Sequence, residues 1–275
     1  MELMKKLFKF YVFSNLHVAF AGFCLTRIAE IRLGLKAGYT PYFVFFSIVI
    51  SYNFIRYYEI KTNRLIWLKS WFKNHLNYIS ILALFSFIGV VFLIISQRII
   101  FNAVLTLIPF ALMTFFYVIP LIKIGGKEIS FRNFPGVKIF SIAIAWVGVT
   151  VLFPVINDQL RVSSLVWLYC GQQFFFLMAY TIPFDIRDVN SDDVTLKTLP
   201  QVLGVHQTKL FGIFCILLFL LINYINYQEV SLSELLISLL LGIFMLFSSS
   251  KRNRIYTGFW VEATPIIWLA LILLF

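Results

Sequence analysis

The residues able to do chemistry in this chain gather in one short stretch. Of twelve acidic residues in 275, four fall within Asp185-Ile-Arg187-Asp188-Val-Asn190-Ser-Asp192-Asp193. Asp185, Asp188 and Asp192 are spaced i, i+3, i+7, which sets three carboxylates on one helix face if the helix runs on past Pro183. Like charges so placed repel, and a cation has to compensate them. Grouped hard oxygen donors suit Mg²⁺, which keeps several waters and bridges protein carboxylates to substrate phosphates. Arg187 and Lys197 stand near enough in sequence to meet the same phosphates. A solvated acidic loop is the plainer reading. Against it, the cluster is abrupt in an acid-poor chain and abuts an apolar helix, where charge is costly.

What must position these residues is a scaffold built for lipid. Hydrophobic residues make up 61% of the chain and charged ones 13%, against about a quarter charged in a soluble domain. Hydrocarbon about 30 Å thick asks for about 20 apolar residues per helix. The apolar runs predict nine transmembrane helices: Phe8–Leu25, Pro41–Tyr58, Leu76–Ser96, Ile99–Leu121, Val137–Ile156, Ser163–Pro183, Leu210–Tyr227, Leu232–Ser249 and Tyr256–Phe275. These runs are too long and unbroken for barrel strands. The expected fold is an all-α polytopic membrane bundle forming a single transmembrane domain over residues 1–275.

Charge orients the bundle. With the N-terminus cytoplasmic, eighteen of the 23 Lys and Arg residues fall on that side, and only Arg27, Arg32, Lys36, Arg98 and Arg161 fall on the other, which carries the C-terminus. Arg27, Arg32 and Lys36 fit this badly, and Glu30 is the one acid at hand. The expected location is a cell membrane, the inner membrane of a bacterium. A net charge of +11 follows from topology and anionic headgroups, with no nucleic acid implied. Ala19-Phe20-Ala21 could be a signal-peptidase site, but apolar sequence runs on, so the first helix reads as uncleaved. Cys24, Cys170 and Cys215 lie apart in apolar segments, with no metal or disulfide spacing, and His17, His75 and His206 form no ligand pattern.

The stretch Asp185-Ile-Arg187-Asp188-Val-Asn-Ser-Asp192, followed by Lys197-Thr198-Leu199-Pro200 and Gly204, resembles the second aspartate-rich motif of UbiA-type prenyltransferases, D-I-R-D-x-x-x-D then R/K-T-L-P and a glycine. Asn15 and the segment Tyr117-Val-Ile-Pro120-Leu-Ile-Lys123 are weaker echoes. The specific part spans about twenty residues, and topology extends the likeness over nearly the whole chain. The resemblance implies a UbiA-like helical bundle that binds an isoprenyl diphosphate through Mg²⁺ at its cytoplasmic face, with the prenyl tail in a lipid-open apolar cavity. Ionisation gives an allylic cation that alkylates a lipophilic acceptor, aromatic or quinone-precursor in kind. The roles it implies are Asp188 and Asp192 as catalytic residues, Asp185, Asp188 and Asp192 as metal ligands, Arg56, Lys123 and Arg187 neutralising diphosphate, and Asn53 orienting the head group.

The family's first motif, N-D-x-x-D-x-x-x-D, belongs at the end of helix two. There this chain reads Ser51-Tyr52-Asn53-Phe54-Ile55-Arg56-Tyr57-Tyr58-Glu59-Ile60-Lys61. Only Asn53 matches; Phe54, Tyr57 and Lys61 stand at the aspartate positions. Arg56 could contact a phosphate in place of a metal, or be an interfacial cation beside Glu59. The missing half also admits a non-catalytic relative that binds isoprenoid or lipid, or serves as a complex subunit. Gln172, Gln173, Asn15 and His17 read first as groups bonding neighbouring helices, Glu262 as an acid with no assigned role, and Gly125-Gly126 as a turn.

Overall fold

The computed structural model describes residues 2–36, 38–63, 65–118, 122–124, 127–129, 137–192 and 196–275, those at 116–118, 122–124, 127–129 and 137 by backbone alone. Asp193, Arg64, Arg132, the Gly125-Gly126 turn and the end of the fourth predicted span at Leu121 lie outside the described residues. The side chain of Lys123 lies outside them too.

The first predicted span is two helices, α1 (Glu2–Phe13) and α2 (Leu16–Arg32), meeting at a 57° bend. Asn15 makes the bend by taking the left-handed conformation, φ 65°. Then come α3 (Thr40–Lys61), α4 (Ile66–Asn74), α5 (Leu76–Ile95), α6 (Phe101–Thr106) and α7 (Ile108–Val118). Two short strands, Ile122–Ile124 and Lys127–Ile129, pair antiparallel. A single rod follows from α8 (Val137–Val147) through a π-helical turn, Gly148–Leu152, into α9 (Phe153–Asn157). The rest is α10 (Ser164–Asp188), α11 (Leu199–Leu203), α12 (Val205–Tyr227), α13 (Leu232–Phe247), a second π-helical turn at Tyr256–Val261, and α14 (Thr264–Leu274).

Five described helices are long and apolar enough to cross a membrane: Leu76–Ile95, Lys138–Asn157, Ser164–Asp188, Val205–Tyr227 and Tyr256–Leu274; α1 and α2 reach that length and apolarity only when taken together as one bent span. The remaining predicted spans are helical but do not reach that standard. Asn53, Arg56 and Glu59 dilute α3, while Phe101–Phe115 and Leu232–Phe247 are short. Lipid is written plainly on α5, where Phe85, Phe87, Ile88 and Phe92 are all more than half exposed on a helix that buries only Ile79, Ser86 and Leu93. Apolar surface of that extent has no place in water.

The long α10 is the central post. Its inner face packs against α8, α12 and α13, and Tyr169, Phe176, Phe219 and Trp268 form a buried aromatic core, with Phe176 and Trp268 centroids 4.8 Å apart. A smaller core joins α2, α3 and α5 to α9. Glycine permits close approach at two crossings. A Cβ on Gly22 would lie 2.2 Å from Ile48, and one on Gly212 2.3 Å from Met245. Small residues at helix interfaces do this work in membranes.

Two of the three awkward basic residues at the end opposite the aspartates, Arg27 and Arg32, find their acids inside the protein. Arg27 and Arg32 lie in the last turns of α2 rather than in a loop. Arg27 pairs with buried Glu30 at 2.7 Å, and Thr40 also donates to Glu30. Arg32 pairs with Glu234, 1% exposed, and donates to Ser231 and Ser233 at 3.1 and 3.0 Å. The Tyr227 hydroxyl donates to the Arg32 carbonyl. Removing one partner of a buried pair strands the other charge. Arg32→Ala should therefore cost roughly 2–4 kcal/mol, read as thermal unfolding in detergent, and an Arg32→Met/Glu234→Leu double variant should recover most of the loss.

Candidate functional site

α10 does run on past Pro183. Proline cannot donate to the carbonyl four residues back, that of Ala179, yet the helix holds to Asp188. A turn then follows in which the Asp192 N–H donates to the Asp188 carbonyl at 2.8 Å. The face bearing Asp185, Asp188 and Asp192 therefore survives the helix end.

Protein cations compensate the three carboxylates. Lys138, at the start of α8, sets its Nζ 2.8 Å from Asp185 Oδ1 and 2.9 Å from Asp192 Oδ2, bridging the two. Arg187 grips Asp188 with Nε at 2.8 Å and Nη2 at 2.5 Å, and donates through Nη1 to the Thr257 hydroxyl on the second π turn. Arg254 stands 3.9 Å from Asp188 and lies over the Trp67 ring at 4.4 Å. Burial holds the Arg254 guanidinium below its ordinary pKa; the Arg187 charge adds to this and Asp188 opposes it. An added anion would relieve such crowded cations.

Arg56 and Asn53 arrive from α3, and both serve the break between α1 and α2. Asn53 Nδ2 donates to the Ser14 and Val49 carbonyls at 2.9 and 2.8 Å, and its Oδ1 accepts from Asn15 Nδ2 at 3.0 Å. Arg56 Nη1 donates to the Phe13 carbonyl at 2.6 Å. The bend frees the Phe13 and Ser14 carbonyls from helical partners, and buried or part-buried as they are, they need others.

A cavity of about 600 Å³ connects these parts. Arg56, Lys138, Asp185, Arg187, Asp188, Asp192 and Arg254 line its charged end, with Glu59 and Glu262. Val18, Trp146, Leu177 and Tyr180 line the rest. A rise of about 1.5 Å per residue puts Leu177 about 16 Å along α10 from Asp188, so the space runs from charge into aromatic and aliphatic walls. A second, apolar cavity of about 260 Å³ between α3, α7 and α8 shares Tyr52, Ile55, Ile142 and Trp146 with it.

The structure thus brings Arg56, Arg187, Asp185, Asp188 and Asp192 to one cavity. Asn53 stays behind its wall, 4% exposed, and Lys197 is exposed outside it. On α3 the cavity-facing positions are Tyr52, Ile55, Arg56 and Glu59, whereas Phe54 and Tyr57 are 48% and 47% exposed. Two of the positions matching first-motif aspartates therefore turn away from the cavity.

No protein-family model, curated protein or solved structure matches this chain.

Lys138, Arg254 and Glu262 are site residues that reading along the sequence does not single out. Lys138 could have been sought as the cation three nearby aspartates require; nothing local marks the other two. Glu262 follows the second π turn, its N–H donating to the Thr257 carbonyl at 3.0 Å, and π turns recur at functional sites. Its carboxylate has no hydrogen bond or ion pair among the described residues, and faces Arg56 and Arg187 at longer range. Also among the described residues, no three His, Cys, Asp or Glu side chains stand as a ready metal-ligand set. Lys138→Met should destabilise by roughly 2–4 kcal/mol by leaving Asp185 and Asp192 facing each other, whereas Lys197→Met, at an exposed position, should stay within about 0.5 kcal/mol; thermal unfolding in detergent measures both.

Proposed function

We propose that the chain is a UbiA-like intramembrane prenyltransferase that crosses the bilayer nine times, with its N-terminus and aspartate cluster on the cytoplasmic side. It moves a prenyl group from an isoprenyl diphosphate to a lipophilic acceptor, aromatic or quinone-precursor in kind. The observation that carries this is one cavity whose mouth holds Asp185, Asp188, Asp192, Arg56, Lys138, Arg187 and Arg254 and whose depth is aromatic and aliphatic. That division suits a ligand with a polyanionic head and a hydrocarbon tail. The motif Asp185-Ile-Arg187-Asp188-Val-Asn-Ser-Asp192 supports the same substrate class. The orientation draws support from the charge census and from Arg27 and Arg32, two exceptions to it that are paired with internal acids.

The donor set fits Mg²⁺ in chemistry, and two of its three carboxylates converge. Asp185 and Asp192 already share one cation, the Lys138 ammonium, and Mg²⁺ needs only one or two carboxylates when phosphates and water complete its shell. Asp188 and Asp192, with Asp185, would hold it. When bound, the ion would neutralise the leaving diphosphate. Arg56, Arg187 and Arg254 offer guanidinium forks to the same oxygens. The carbon–oxygen bond breaks with its electron pair leaving on diphosphate; the acceptor supplies the pair for the new bond and then loses a proton. Tyr52, Trp146, Tyr180 and Phe184 wall the space and exclude water from the cation.

A non-catalytic binder of isoprenoid is the second reading. It is favoured by α3, which has no aspartate and presents Tyr52, Ile55, Arg56 and Glu59 to the cavity. The test is diphosphate release from geranyl, farnesyl and geranylgeranyl diphosphates by purified protein in Mg²⁺. Release should fall by at least about 100-fold in an Asp188→Ala/Asp192→Ala variant. Release that persists there removes the metal role, and binding without release favours the second reading.

A further inference from the structure

Helix α1 is bound to the bundle at one end and bare at the other. Near its C-terminus, Phe8 meets the Phe259 ring edge-on at 4.8 Å, the Tyr11 hydroxyl bonds His17 Nδ1 at 2.9 Å, and Val12 is buried. Its first two turns touch little. Leu3, Met4 and Leu7 are 69%, 74% and 61% exposed, and they share one side of the helix at i, i+1, i+4. Lys5, Lys6 and Lys9 are exposed as well and occupy the opposite side. Lys6 reaches Glu2 at 3.0 Å, but both are exposed, and such a pair does little to hold either in place.

Geometry restricts where this helix can lie. Twelve residues reach about 18 Å, too short for a core of about 30 Å, and the 57° bend turns α1 away from the line of α2. A short helix with an apolar side and a lysine side, leaving a membrane span at a steep angle, belongs at the lipid interface. Its surroundings have the same sign. Phe10 packs near Trp71 of α4, and α4 carries exposed Lys69 and Lys73 beside exposed Ile66 and Trp67.

We propose that α1 lies in the headgroup layer of an anionic leaflet, with Leu3, Met4 and Leu7 seated at the acyl boundary and Lys5, Lys6 and Lys9 among the lipid phosphates. The seating matters to the cavity, because α1 ends on it. Val12 and Phe13 line the charged cavity, and the Phe13 carbonyl holds Arg56. The assignment is independent of the prenyltransferase reading.

The test uses the full chain in nanodiscs, with Leu7→Cys carrying a bimane; Cys24, Cys170 and Cys215 are buried. Lipids spin-labelled near the headgroup should quench this bimane more strongly than lipids labelled near the acyl terminus. Quenching should be stronger in phosphatidylcholine with phosphatidylglycerol than in phosphatidylcholine alone. A Lys5→Glu/Lys6→Glu/Lys9→Glu variant should lose that dependence on lipid charge. The proposal is overturned by a bimane that neither lipid quenches, by quenching equal in the two lipid compositions, or by a label-to-label distance showing that a second copy covers Leu7. The comparison of lipid compositions on the single-label protein decides the matter even if the triple variant does not fold.

Discussion

A carbonyl freed inside a bilayer must find a donor, and the bend at Ser14 and Asn15 frees several. Ser14 and Asn15 are fully buried, so an unmet backbone group there costs several kcal/mol. The donors come from α3, where Asn53 takes the Ser14 carbonyl and Arg56 takes that of Phe13. This clamp lets a continuous apolar run fold as two helices. Without it, α1 would continue α2 as one rod, and Val12 and Phe13 would not reach the cavity wall. Arg56 thereby serves two ends: one nitrogen fixes the bend while its charge lies in the cavity with Glu59 and Glu262 nearby.

The aspartate cluster meets a related constraint with charge. Asp185 is almost fully buried, and three acids on one face cannot persist there uncompensated. Lys138 arrives from a helix nearly fifty positions earlier in the chain, Arg187 from the adjacent residue, and Arg254 from the approach to the last span. Each is engaged with a carboxylate at rest. A polyanionic ligand must therefore exchange partners to bind. The cations turn to the ligand only if something else takes the carboxylates, which is the part a divalent ion would play.

Much of the scaffold was legible because lipid imposes a simple code of length and apolarity. The runs at Leu76–Ser96 and Ser163–Pro183 became α5 and α10 with ends shifted by a few residues. The spacing of Asp185, Asp188 and Asp192 also read correctly as one face, since that depends only on helical period and on Pro183 being tolerated. What escaped is long-range. Arg32 and Glu234 lie 202 positions apart, and nothing near either names the other. The bend escaped because Ser14 and Asn15 interrupt a largely apolar run with no Gly or Pro beside them to mark a break, and its cause, Asn15 with Asn53, bridges 38 positions. The phase of α3 escaped as well. Matching residues to the first aspartate motif identified Phe54 and Tyr57, while packing turned Tyr52, Ile55, Arg56 and Glu59 inward.

That phase bears on how the cavity can handle an anion. Its described lining has four cations, Arg56, Lys138, Arg187 and Arg254, against five carboxylates, Glu59, Asp185, Asp188, Asp192 and Glu262. Formal charge is thus close to balance and slightly negative before any ligand enters. A diphosphate alone would have to draw cations that Asp185, Asp188 and Asp192 already hold. A divalent cation alone would meet aspartates already paired with Lys138 and Arg187. Entering together they offset each other, the metal taking carboxylates and the phosphates taking the released cations. Each then raises the affinity of the other, as linkage requires. On the proposed reading, an α3 wall that offers Arg56 and no aspartate would shift part of the work of neutralising diphosphate from metal to guanidinium. On that reading, a site so arranged would need fewer metal ions than two facing aspartate motifs, because part of its positive charge is built into the chain.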